Sequence, residues 1–159
     1  MTRRTLPLLA IAAATVTTAV ITSAPAAQDA GFALESRLEQ SSFVRIEAPP
    51  KGPSAGDVYV LTASLKRDGA AAGRAEYVQT VVDKRYRGIM MQIQLLLPDG
   101  SIALQGSGLG KRAPGTQPLS AQGDLAITGG TGAYAGASGV VHVKDTSETT
   151  QRLDVALAG

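Results

Sequence analysis

Glu76 and Tyr77 stand side by side in the alternating run Arg74–Val82 and are the residues here best suited to handling a proton. A carboxyl group enclosed in an apolar chamber stays protonated to higher pH, so an interior Glu76 would serve as acid or base near neutrality. A Tyr77 hydroxyl aimed into the same chamber would donate a hydrogen bond to a carbonyl or epoxide oxygen. Each has a plainer alternative. Glu76 on an outer face is a solvated carboxylate beside Arg74, and Tyr77 on an apolar face is core. Gln92 and Gln94 share one face of the next run, Ile89–Leu97, and two amides so spaced either grip a polar ligand group or face water. Val60 and Thr62 share a face of Asp57–Leu65, opposite Tyr59, Leu61, Ala63 and Leu65. His142, the sole histidine, has no acid beside it in sequence and reads as a surface residue.

Composition removes whole classes of chemistry. The 159 residues include no cysteine, so disulfides, thiolate catalysis and cysteine metal sites are excluded, and one histidine excludes a multi-His metal site. No Trp and few other aromatics leave little for base stacking. The net charge of +2 rests partly on Arg3 and Arg4, in a segment expected to be removed. The remainder is close to neutral, which argues against a nucleic-acid partner.

The elements that must position these residues read as strands. Residues 1–27 read as an export signal: Arg3 and Arg4, the apolar run Leu6–Ile21, then Ala24-Pro25-Ala26-Ala27 for cleavage. The paired arginines also resemble the twin-arginine pattern. The chain is thus expected to be secreted and, once cleaved, free of the membrane. Residues 28–42 show no clear strand period and read as a linker or short lid, and a barrel domain is expected over 43–159. Its first strand is Phe43–Glu47, followed by a Pro/Gly loop. Further strands fall at Asp57–Leu65, Arg74–Val82, Ile89–Leu97, Ser101–Gly106, Leu125–Thr128, Val140–Val143 and Gln151–Leu157. Arg67-Asp68-Gly69 and Pro98-Asp99-Gly100 are turn signals, and Gly108–Gln122 reads as a long polar loop. Asp57, next to Gly56, suits a turn or capping role. The set spells an all-β chain, an eight-stranded antiparallel barrel whose interior holds side chains or one small ligand.

Between two of these strands lie Gly129, Gly130, Gly132, Gly136 and Gly139. Gly130-Thr131-Gly132 lacks the Lys-Ser/Thr pair and the following helix that a phosphate loop needs. The cluster therefore reads as a structural corner at a barrel rim, or as a corner that also shapes a ligand mouth.

Three ordered pieces carry a resemblance: Gly56-Asp57-Val58; Pro98-Asp99-Gly100-Ser101-Ile102 with Gln105-Gly106; and Ala126–Tyr134 with Ala137-Ser138-Gly139. Together they resemble the dirigent and allene oxide cyclase superfamily over roughly residues 43–157. The resemblance implies an eight-stranded barrel, often a homotrimer, that holds a small apolar or phenolic molecule and steers its cyclisation or coupling with no cofactor or metal. Orientation then carries the rate effect. On this reading Glu76 and Tyr77 are the candidate catalytic residues, and Val60, Thr62, Gln92 and Gln94 the candidate ligand contacts. The departures are specific. Thr62 and Ala63 stand where dirigent proteins carry acids, and of the cyclase residues expected at Val60, Thr62 and Ala63 only Thr62 matches. Neither plant activity transfers directly. The alternative is an exported barrel that binds a small ligand, or serves structurally, without catalysis.

Overall fold

The structure, a computed structural model, describes residues 31–39, 44–50, 54–83, 88–111 and 120–158. The expected export segment 1–27 lies outside the described residues. Nine strands follow one another: β1 Phe32–Leu38, β2 Val44–Ile46, β3 Val58–Arg67, β4 Ala70–Asp83, β5 Gly88–Leu97, β6 Gly100–Lys111, β7 Ser120–Gly132, β8 Gly139–Asp145 and β9 Thr150–Leu157. They pair antiparallel in the order β1-β9-β8-β7-β6-β5-β4-β3-β2. The sheet closes because β1 also pairs with the second half of β3, Leu38 opposite Ala63 and Glu35 opposite Lys66. The result is a closed eight-stranded antiparallel barrel. β2 is an extra short segment on the same edge of β3, opposite Val58–Val60.

Two expectations change. The stretch read as linker or lid supplies a full barrel strand, β1, whereas of the run expected as the first barrel strand, Phe43–Glu47, the described residues contribute the short segment Val44–Ile46. The alternation of β1 is regular, but one of its inward positions is a serine, Ser36, which hides the apolar period. The second change is the loop expected at Gly108–Gln122. β6 runs on to Lys111 and β7 starts at Ser120, so much of that span is ladder. Glycines disguised it. A side chain at Gly108 would collide with the Gln122 carbonyl and crowd Met91, so this glycine marks close packing inside the wall rather than a loop.

Pleating decides what the barrel contains. Leu34, Leu61, Leu65, Tyr77, Ile89, Met91, Leu95, Ile102, Leu125, Val141 and Leu153 are all buried and meet inside. The alternating face Ile89, Met91, Ile93 and Leu95 is core, and Leu97 at its end is partly buried against it. Eight strands enclose a space that side chains can fill, and here they fill its waist. Tyr77, 1% exposed, is the largest of the fully buried side chains. Its hydroxyl lies 2.6 Å from Ser36 Oγ, tying β4 to β1 across the interior.

Asp57 secures the start of β3. It is fully buried, and its carboxylate accepts hydrogen bonds from the backbone N–H of Ala48 (2.9 Å), the backbone N–H of Ser54 (3.0 Å) and the Ser54 hydroxyl (3.1 Å), and from Arg45 (2.8 Å). Burial alone would raise its pKa, but the two backbone donors and Arg45 outweigh it and bring the group from 3.8 down to about 2. The loop before β3 thus folds around one anion, and Arg45 anchors β2 to it.

Two measurements check this account. Tyr77→Phe strands Ser36 Oγ without a partner and is expected to lower stability by about 1–2 kcal/mol in denaturant melts, with part recovered when Ser36→Ala is added. Asp57→Ala is expected to cost about 3 kcal/mol or more at neutral pH. Because the folded pKa of Asp57 lies below the unfolded one, its contribution is complete above pH 4 and fades as pH falls towards 2. Melts across that window should fall more steeply for the native chain than for Asp57→Ala.

Candidate functional site

Glu76 and Tyr77 are adjacent on β4, so their side chains leave opposite faces of the wall. Tyr77 faces inward, bonded to Ser36, and burial pushes its hydroxyl up to about 12 against the smaller opposing effect of that bond. Glu76 faces outward, and its Oε1 meets Arg74 Nη2 at 2.6 Å in an exposed ion pair. The two candidate catalytic residues are therefore not brought to one reacting group.

The candidate ligand contacts do converge, on the outer face. Val60, Thr62, Gln92 and Gln94, together with Glu76, line a concavity of about 590 Å³ across β3 to β7. Cross-strand register builds it: Thr62 lies opposite Glu76, Glu76 opposite Gln94, Val78 opposite Gln92, and Gln92 opposite Gln105. At the far side the ladder slips between Ala103 and Leu104, leaving Thr128 unpaired as a bulge that bends the wall, with its hydroxyl donating to the Ala103 carbonyl at 3.2 Å. The small side chain of Ala103 keeps the groove open there. Gln105 and Thr128 join the site only through register and bulge. Neither signal is local in sequence.

A second concavity, of about 420 Å³, opens at the barrel end where the β3–β4, β5–β6 and β7–β8 turns gather. Its walls are Phe32, Leu34, Leu97, Pro98 and Tyr134, with Arg67, Asp68 and Asp99 at the rim and Ala70, Ala71 and Ala72 leaving the space. The Arg67 guanidinium lies 4.6 Å from the centre of the Phe32 ring, and Tyr134 meets the same ring at 6.2 Å, tilted by 47°. A cation held over an aromatic face stabilises both groups. The register of β3 with β4 shifts beside this cup, between Leu65 and Lys66. The turn signals at Asp68-Gly69 and Asp99-Gly100 were visible in sequence. Alternate hairpins of a meander share an end, and that was the available hint that these residues meet.

The glycine cluster forms the β7–β8 corner of this rim. Gly129, Gly130 and Gly132 end β7, Gly136 lies in the turn, and Gly139 opens β8. A side chain at Gly130 would collide with the carbonyls of Tyr134 and Ser101, and Gly132 has a φ of 62°. His142 is exposed, yet strand pairing places Asp124 and Asp154 on either side of it, and its Nδ1 lies 2.6 Å from Asp124 Oδ1. Sequence neighbours had shown no acid for it. Among the described residues no three His, Asp or Glu side chains form a group that could hold a metal ion.

No protein-family model and no curated protein sequence matches the chain. Among solved structures it is similar to a pyocyanin demethylase, with a TM-score of 0.66 and 20% identity over 80% of this chain and 99% of that one. At such identity the likeness establishes a shared barrel fold.

Proposed function

We propose that this chain is an exported barrel of the dirigent and allene oxide cyclase type that binds a small, mostly apolar molecule without transforming it. The observation that carries the reading is the cup at the turn end, an apolar recess above a filled waist. Its volume falls in the range of small-molecule sites. Aromatic and aliphatic walls supply the binding energy, and the charged rim orients a polar end of the ligand. Binding is favoured over steered cyclisation because Glu76 and Tyr77 face opposite sides of the wall, and the phenol is already committed to Ser36. The likeness to an enzyme barrel supports a scaffold able to hold small ligands. The signal-like segment 1–27 supports a site of action outside the cell.

Titrating the full chain with the neutral apolar fluorophore N-phenyl-1-naphthylamine tests the reading. Saturable enhancement at one site per chain is expected. Ala72→Phe, which fills the cup, should weaken binding at least about tenfold, the equivalent of 1.4 kcal/mol. Absent saturation, or affinity unchanged in Ala72→Phe, would sink the proposal.

A further inference from the structure

The outer groove of β3–β7 has a chemistry unlike that of the cup. Its polar side chains are Thr62, Glu76, Gln92, Gln94, Gln105 and Thr128: three amides, two hydroxyls and one carboxylate. The Glu76 carboxylate is matched by Arg74 at 2.6 Å, and the Thr62 hydroxyl donates to the Glu39 carboxylate at 3.1 Å, so the lining adds no positive charge for an anion. Gln92 and Gln105 are exposed and lie directly opposite each other, while Gln94 sits one pleat further along beside Glu76. Val60 and Val78, adjacent across β3 and β4, add an aliphatic strip to the groove.

Three ligand classes can be weighed against this lining. Among the described residues an anion finds only the Arg74 guanidinium, already held by Glu76. A purely apolar ligand would cover three amides and leave their donors and acceptors unmatched, each at about 1–3 kcal/mol. A neutral polyol fits both parts. A primary amide offers a donor and an acceptor side by side, which suits a pair of vicinal hydroxyls, and the valines suit the C–H face of a sugar ring. The volume of about 590 Å³ is ample for a ligand larger than one ring. We infer that the outer groove is a binding site for a neutral saccharide, separate from the cup and independent of the reading proposed for it. A barrel carrying such a groove would be held at a glycan surface while its mouth stays free for another ligand.

Nitrogen-15 NMR of the full chain titrated with cellobiose and with N,N′-diacetylchitobiose tests this. Saturable shifts are expected in the side-chain amide signals of Gln92, Gln94 and Gln105 for at least one of the two sugars. The double variant Gln92→Ala/Gln94→Ala should weaken binding tenfold or more, whereas the cup-filling Ala72→Phe should leave it unchanged. If the double variant does not fold, Gln105→Leu serves the same purpose. The inference is overturned if neither sugar gives saturable shifts at roughly tens of millimolar, well above the weak millimolar end of the affinity scale. It is equally overturned if the shifts map to the cup, or if light scattering shows a self-associated chain whose groove amides are protected from exchange by a second copy.

Discussion

Closure of the sheet through β1 is the constraint on which the rest of the molecule depends. β1 has β9 on one side and β3 on the other, so one strand of seven residues removes two open edges. Once the wall is closed, every residue is committed to inside or outside by parity, and a one-residue slip would exchange the two sets. Ser36 holds that register from within. Only when β1 is correctly placed does its hydroxyl reach the Tyr77 phenol of β4, on the opposite side of β3. The remaining edge of β3 is covered by β2, whose Arg45 is drawn onto the Asp57 carboxylate. Two short segments thus complete the wall around β3, one fixed by an interior hydrogen bond and the other by a buried anion.

Parity also divides the chemistry. The inside received the aromatic and aliphatic residues, and with them a phenol whose ionisation is suppressed by burial. The outside of β3–β7 received Gln92, Gln94, Gln105, Thr62, Thr128 and an ion-paired Glu76, while two other glutamines, Gln79 and Gln151, are buried. An acid–base pair drawn from neighbours on one strand cannot form in such a wall, whatever the residue types. A pair that shares a face must come from alternate positions or from adjacent strands. His142 and Asp124 meet in the second way.

The strands with regular alternation and a turn signal at each end were legible in the sequence. Ile89–Leu97, bounded by Gly88 and Pro98-Asp99-Gly100, is the clearest, and Asp57–Leu65 and Gln151–Leu157 follow the same logic. What the sequence concealed has physical reasons. β1 was hidden because an interior position is polar, which is tolerable only with the Tyr77 partner supplied by another strand. The end of β6 was hidden because Gly108, read locally as loop, is required there by the Gln122 carbonyl and Met91 on the flanking strands. Val60, Thr62, Gln92 and Gln94 could be grouped by parity, whereas Gln105 and Thr128 needed the register of β5 with β6 and a bulge in β7. The face on which the group would lie was open until closure fixed it.

The glycine corner shows how the most conspicuous stretch of sequence relates to a site that it does not touch chemically. Gly130 has no side chain because the carbonyls of Tyr134 and Ser101 occupy its place, and Gly132 takes a left-handed conformation that other residues adopt only at some cost. These two positions let the chain turn tightly enough for Ala133 N–H to donate to the Asp99 carbonyl at 2.8 Å, stitching the β7–β8 corner to the β5–β6 turn. Tyr134 comes next in sequence and is delivered against Phe32, which Arg67 covers from the β3–β4 turn. Two turns thereby meet on the Phe32 ring at the start of β1, and the third is joined to them through Asp99. The glycines act on the cup through geometry alone. A bulkier residue at Gly130 would press on the carbonyls of both Tyr134 and Ser101, displacing Tyr134 and opening the rim at a cost to the β6–β7 ladder.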